Sequence, residues 1–288
     1  MIRRIELELG TFVFSDEAPC ASAAKNAPRD PVVLLHGFTG SKDSWLELRE
    51  KLKGTHRVVS IDLPGHGGTA VGDAIENYSM ERSAAMLAAA LAKILDDARF
   101  SLVGYSMGGR LALYVALAYG ARVSRLVLES ACAGIADLSE RARRRQSDEE
   151  LAAFIERAGI EAFVSRWERL PLFESLAKLP ADGRERLRRQ RLECSAAGLA
   201  RSLRAMGTGA QPWLGERLGE LAMPVLVVAG ALDRKFVEIG RDLASRIPRA
   251  RLEIIEGSGH VPHLERPEEF NRLVTNFLGP RCEASSLK

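Results

Sequence analysis

The chain has 288 residues, 46% of them apolar, and a formal charge of +3 from 41 basic and 38 acidic side chains. That length suits one large domain, or a core that carries an inserted module. The near balance of charge requires neither a nucleic-acid nor a membrane partner, and no apolar run approaches the 18 residues of a membrane span.

Read in order, "MIRRIELELG" lacks the apolar segment of a signal peptide. "IELELGTFVF" alternates and predicts an early hairpin. "SDEAPCASAAKNAPRD" reads as a polar, Ala/Pro-rich connection, exposed and mobile. "PVVLLHG" predicts a buried strand ending near Leu35, and "HRVVSIDLPGHG" the next. "SMERSAAMLAAALAKIL" predicts a helix with Ser79 as N-cap. "FSLVGYS" is a strand that runs straight into a helix from Met107, and "VSRLVLES" is another strand. "PVLVVAG" and "RLEIIEG" repeat the type, with a helix between them and a last helix over "PEEFNRLVTNFL". Strands without polar alternation, joined by helices, predict a mostly parallel α/β sheet covered on both faces.

From about Ile135 to Glu220 no buried strand is expected. "SDEELAAFIERAGIEAFVSRWERL" has helical spacing, with Ser147 and Glu150 as a capping box. "GRERLRRQRL" and "AGLARSLRAM" are helical too, with Pro171, Pro180 and Gly183 as breaks. The chain therefore divides into a core (1–134), a helical lid (135–220), a second core segment (221–280) and a tail (281–288). Four cysteines, Cys20, Cys132, Cys194 and Cys282, have no metal-ligand spacing. They read as free thiols of a cytoplasmic protein, with no metal site. Arginine outnumbers lysine by 33 to 8, and its planar fork suits carboxylates.

"GYSMGGR" places Ser106 between a strand and a helix in G-x-S-x-G, the arrangement of a nucleophile at a sheet's C-terminal edge. Such a serine needs an imidazole, and the imidazole a carboxylate, in the chain order serine, acid, histidine. His260 and His263 are the histidines that follow Ser106. His260, in a Gly/Ser turn after a strand, is preferred; His263 is expected to face packing or the next helix. Asp233, after "PVLVVAGAL", is the acid, with a structural cap as its alternative reading. The backbone N–H groups of Phe38 and Met107 are the expected oxyanion donors. His36 and His66 read as structural. Arg110 lies one turn into the helix, where its charge opposes the helix dipole. It points to a substrate carboxylate, or else to surface exposure or an ion pair with a protein acid. Periodicity does not choose among Arg141, Arg143, Arg144, Arg145, Arg184, Arg186, Arg188, Arg189 and Arg191.

The motifs "HGFTG", "LPGHG", "GYSMGGRLAL", "RRRQSDEELA", "PLFESL", "LRRQRL", "GLARSLRAMGTGAQP" and "GALDRKF" together resemble the 2-succinyl-6-hydroxy-2,4-cyclohexadiene-1-carboxylate synthases of menaquinone biosynthesis. The resemblance implies an α/β-hydrolase fold with a helical lid. It also implies a cofactor-independent carbon–oxygen lyase that eliminates pyruvate from a small anionic polycarboxylate. It puts the triad on Ser106, Asp233 and His260, and substrate contacts on Tyr105, Arg110, Arg144, Trp167 and Arg191. The chain departs from the family wording at "ESACAGI", "RLECSAAG" and "GAQPWL", where Trp213 replaces a small residue. The competing readings are a serine esterase or carbon–carbon-bond hydrolase, and a binding protein without turnover. The oligomeric state is left open.

Overall fold

The computed structural model describes residues 1–19, 29–96 and 98–279. The early hairpin forms as β1 (Ile2–Leu7) and β2 (Gly10–Glu17), paired antiparallel. β2 runs further than its composition suggests. Ser15, Asp16 and Glu17 pair with β4 (Val58–Ile61) instead of opening the polar connection. Asp16 can stay in the sheet because Arg57 reaches it through Nε and Nη2 at 2.9 and 2.8 Å. Most of the expected connection, with Cys20, lies outside the described residues, as do the tail and Cys282.

The remaining strands are β3 (Val32–Leu35), β5 (Ala70–Val71), β6 (Phe100–Tyr105), β7 (Val123–Glu129), β8 (Val225–Gly230) and β9 (Ala250–Ile255). Their spatial order is β1-β2-β4-β3-β6-β7-β8-β9, with β5 added to β2, and every pairing from β4 to β9 is parallel. β3 and β8 read as unbroken apolar runs because both faces are covered, whereas β9, at the edge, carries Arg251 and Glu253. Val33, Leu35, Leu102, Leu126 and Val227 face one core, with α2 (Met80–Leu95), α3 (Met107–Ala118) and α7 (Arg234–Arg246) over them. Val32, Leu34, Val103, Val127 and Val228 face the other, under α1 (Leu46–Leu52) and α9 (Pro267–Leu278). Ser79 caps α2 by accepting from the Arg82 N–H at 3.2 Å.

Between β7 and β8 the regular structure is helical: α4 (Leu138–Trp167), a 3-10 segment (Pro171–Lys178), α5 (Ala181–Leu192), α6 (Ala196–Met206) and a second 3-10 segment (Gly215–Glu220). The helix start expected at Ser147 is not used. Asp137 caps α4 ten residues earlier by accepting from the Glu140 N–H at 2.7 Å, so Ser147 is mid-helix. The break falls at Gly159, whose φ of 79° kinks α4. Gly183 is no break either; it sits in the first turn of α5, after Pro180 at the N-cap. The insertion has its own core of Ala152, Ile155, Phe163, Val164, Leu199, Ala200 and Leu203. It also meets the sheet's loops backbone to backbone. A Cβ on Gly65 would stand 2.5 Å from the Gly198 carbonyl oxygen, and one on Gly198 2.5 Å from that of Gly65.

Candidate active site

β6 ends at Tyr105 and α3 begins at Met107, so Ser106 alone makes the corner, with φ 49° and ψ −109°. Such a left-handed serine costs about 1–3 kcal/mol and persists only where its surroundings enforce it. They do so through close approach. A Cβ at Gly104 would strike the Gly108 carbonyl, and one at Gly108 the Leu35 carbonyl. The Ser106 N–H is tied to the Glu129 carbonyl at 2.8 Å.

Asp233 follows β8 and takes both roles open to it. One carboxylate oxygen accepts from the Phe236 N–H at 3.3 Å and caps α7; the other meets His260 Nδ1 at 2.7 Å. A carboxylate only accepts, so Nδ1 carries the proton, and in the neutral ring Nε2 is the accepting nitrogen. Nε2 lies 3.3 Å from Ser106 Oγ. The His260 ring is buried, with Phe236, Tyr105 and Phe173 at centroid distances of 4.6, 5.6 and 6.1 Å. His263 stands apart from Ser106 and bonds Glu129 instead.

Met107 is the first residue of α3, so its N–H has no partner within the helix. Phe38 lies in the turn closed by the Gly40 N–H to the Gly37 carbonyl at 3.0 Å. His36 braces that loop: its Nδ1–H donates to the Gly37 carbonyl at 2.8 Å, and Nε2 accepts from the Leu63 N–H at 3.0 Å. Burial pushes its pKa down to about 4, so it stays neutral near pH 7. His66 packs 5.1 Å away, pushed down to about 3 by burial and by His36.

Ser106 and His260 open into a cavity of about 790 Å³ whose wall also includes Phe38, Met107, Tyr105, Arg110, Arg144 and Trp167. Arg110 is 8% exposed, and its Nη1 donates to the Met206 carbonyl at 2.8 Å and to Gln211 Oε1 at 2.5 Å. Both acceptors are neutral, and among the described residues no carboxylate forms an ion pair with it. Burial holds its pKa below the usual guanidinium value and nearby Arg144 acts the same way, against the opposing pull of Cys132 and Asp148. Arg144 is half-exposed and pairs with Asp148 at 2.8 Å. Trp167 packs on Phe38 and Phe173, and its buried indole N–H has no partner. Burial, reinforced by Glu129, pushes the Tyr105 phenol well above its usual value.

Arg191 is placed differently. It lines a neighbouring cavity of about 770 Å³, across a wall of Phe38, Tyr105 and Phe173 that both cavities share. It is buried, pairs with Glu168 at 3.2 Å and lies 5.3 Å over the Phe173 ring. Gln211, Phe173 and Phe236 complete the Ser106 site without having been singled out from the sequence. Phe236, three residues after Asp233 in "DRKF", was the most accessible to such reasoning. Among the described residues no group of three or more His, Cys, Asp or Glu could hold a metal ion, and no helix is long and apolar enough to cross a membrane.

A parallel sheet with a strained serine at its edge, and acid and histidine at the ends of later strands, defines the alpha/beta hydrolase class. The pattern of that family matches residues 32–273. A Bacillus subtilis (strain 168) protein provisionally named 2-succinyl-6-hydroxy-2,4-cyclohexadiene-1-carboxylate synthase is 44% identical over 93% of this chain and 94% of its own. The Serratia proteamaculans (strain 568) protein of that name is 32% identical over 88% of this chain and 94% of its own. The solved structure of MenH from S. aureus superposes with a TM-score of 0.87 at 36% identity, covering 92% of this chain and 97% of that one. The chain belongs to the alpha/beta hydrolase family and, within it, to the 2-succinyl-6-hydroxy-2,4-cyclohexadiene-1-carboxylate synthases.

Proposed function

We propose that the protein eliminates pyruvate from 2-succinyl-5-enolpyruvyl-6-hydroxy-3-cyclohexene-1-carboxylate to give 2-succinyl-6-hydroxy-2,4-cyclohexadiene-1-carboxylate. Beyond membership of the family, one observation supports this most. Arg110 is a buried guanidinium bonded to neutral acceptors, in the cavity that holds Ser106 and His260. A buried cation with no acid in ion-pair contact is costly, and Asp148 acts on Arg110 only from beyond that distance. A substrate carboxylate supplies the missing charge, in a planar geometry that guanidinium matches.

The reaction begins at the ring C–H next to the succinyl ketone. His260, oriented by Asp233, draws on the Ser106 hydroxyl, and that relay takes the proton. The electron pair enters the ketone as an enolate, whose oxygen the Phe38 and Met107 N–H groups are set to receive. It then returns through the ring, shifts the double bond, and breaks the bond to the enolpyruvyl oxygen. Enolpyruvate leaves with that pair and gains a proton at its methylene carbon to become pyruvate. Water is not consumed and no acyl-enzyme forms. Arg144 supports a second carboxylate from the helical insertion, which serves as a lid, and the Trp167 N–H offers a donor to the ring substituents. Arg191 reaches the substrate only if the Tyr105–Phe173 wall moves, and we assign it a carboxylate contact once that wall has shifted.

The test is pyruvate release, followed with lactate dehydrogenase, from purified protein and the enolpyruvyl substrate. Steady release without an adduct on Ser106 is expected. A chemically competent acyl group on Ser106, seen by mass spectrometry during turnover, turns the reading to an esterase or carbon–carbon-bond hydrolase.

A further inference from the structure

Aromatic neighbours limit how the His260 ring turns, and upstream the backbone of "GSGH" is anchored by buried Ser258, whose carbonyl accepts from the Leu232 N–H at 2.9 Å and whose hydroxyl donates to the Ile255 carbonyl at 3.1 Å. Two carboxylates outside the triad hold the segment around His260. Glu265, at the end of α8 (Pro262–Glu265), folds back so that one oxygen accepts from the Gly259 N–H at 2.8 Å and the other from the Val261 N–H at 3.0 Å. Its two oxygens therefore bracket His260. Glu129, wholly buried at the end of β7, accepts from the His263 backbone N–H and from the His263 ring Nδ1–H, each at 2.9 Å. The same Glu129 holds the Ser106 N–H through its carbonyl. One residue thus ties the serine's corner by its main chain to the histidine's segment by its side chain. Tyr105, opposite Glu129 in the strand register, closes the arrangement with its ring 5.0 Å from His263.

We propose that Glu129, His263 and Glu265 are positioning residues that set the separation between His260 Nε2 and Ser106 Oγ. The inference rests on the reading of His260 as the base. At 3.3 Å that hydrogen bond has little slack, and losing one anchor lets the segment drift out of reach. A carboxylate suits each place because every contact to it comes from an N–H. An amide keeps one accepting oxygen and turns an NH₂ toward a donor.

The experiment measures kcat and KM for pyruvate release, the low-field proton signal of the His260 Nδ1–H, and the thermal midpoint. The variants are Glu265→Gln, Glu129→Gln, His263→Asn and His263→Leu. Displacement on the order of 1 Å lowers kcat about 10- to 100-fold, with KM held within about twofold in Glu265→Gln and Glu129→Gln. The low-field signal, identified by its loss in His260→Ala, should shift or broaden in both. His263→Asn presents an amide N–H near the place of Nδ1–H and should recover most of what His263→Leu loses. Unchanged kcat and signal in Glu265→Gln and Glu129→Gln overturns the proposal, as does equal loss in the two His263 variants. Glu265 is only partly buried, so its variant keeps the test open if Glu129→Gln does not fold. Absence of pyruvate release by the unaltered protein counts against the proposed function alone, since the proton signal still reports on positioning.

Discussion

The core and the helical insertion both surround the candidate site, yet they hold their functional groups by different means. The core fixes Ser106, Asp233 and His260 at the ends of paired strands, through steric contact, short main-chain bonds and carboxylates that each accept from fixed N–H groups. The insertion handles charge. Arg188 and Arg191 both pair with Glu168, and Arg204 with Glu149 and Glu156. Placement by packing leaves few alternatives, whereas an arginine has long reach and several acids to choose from. The contrast teaches that nearness to the site is a poor guide to which cations matter. On the proposed function the better guide is whether a buried cation has an acid in ion-pair contact, and among the described residues Arg110 has none, Asp148 acting on it only from farther off.

The strongest challenge to that contrast removes the core's chemistry. Ser106→Ala and His260→Ala should each lower kcat/KM for pyruvate release by about 10²-fold or more, and the double variant should lose far less than the product of the two. Near-unaltered kcat/KM in either single variant, with circular dichroism reporting a folded chain, removes the core from the mechanism. The arginines come next. Arg110→Ala should cost about 2–4 kcal/mol in kcat/KM, and Arg110→Lys nearly as much because the fork is lost. Arg144→Ala and Arg191→Ala should fall in the same range but below Arg110, since each already has an acid. Arg188→Ala, at a half-exposed pair, should cost less than about 1 kcal/mol. If Arg188 outweighs Arg110, burial without an acid is the wrong criterion.

Acid should separate the two regions in stability. All five histidines lie outside residues 135–220. Burial holds His36 and His56 at about 4 and His66 at about 3 in the folded chain, against 6.5 ordinarily. As pH falls below 6.5 the unfolded chain takes up protons that the folded core refuses, so stability drops between pH 6.5 and 4. Each such histidine contributes a slope approaching about 1.4 kcal/mol per pH unit. The insertion's Glu149 and Glu156, lowered by bonding to Arg204, lose their contribution only as pH falls below the usual carboxylate range. Thermal midpoints from pH 7 to 4 should decline steadily, and His36→Asn should flatten the decline. A flat profile in the unaltered protein contradicts the neutral burial of these rings. The smallest effect is a gain: Ser106→Gly relieves the left-handed φ and should add about 1 kcal/mol in denaturant melts while abolishing turnover.

What the sequence made legible follows the same division. The sheet was readable because each central strand is apolar on both faces, and the corner because G-x-S-x-G stood between a strand and a helix. Asp233 was readable as an acid after a strand, though not that one carboxylate would serve as cap and as partner of His260. The insertion was readable as helical but not in detail. The signature at Ser147 and Glu150 was overruled because Asp137 had already started the helix. In "GRERLRRQRL" the arginines surround the helix, so period alone could not favour Arg191, and its place beyond the Tyr105–Phe173 wall depends on how α5 docks. Glu129 and Glu265 escaped notice because their partners are backbone N–H groups and a histidine far along the chain.

The contact between Gly65 and Gly198 bears on how such proteins can be recombined. An insertion joined to the sheet at two points of the chain looks like a cassette that could be exchanged between relatives. Here the main chain of α6 rests on the main chain of the "LPGHG" loop, with no room for a methyl group on either side. A graft of residues 135–220 therefore has to bring residues 62–69 with it, or meet a recipient that already has glycine at the facing position. Crossovers that separate these segments should yield chains whose two halves are each well formed and do not close on one another.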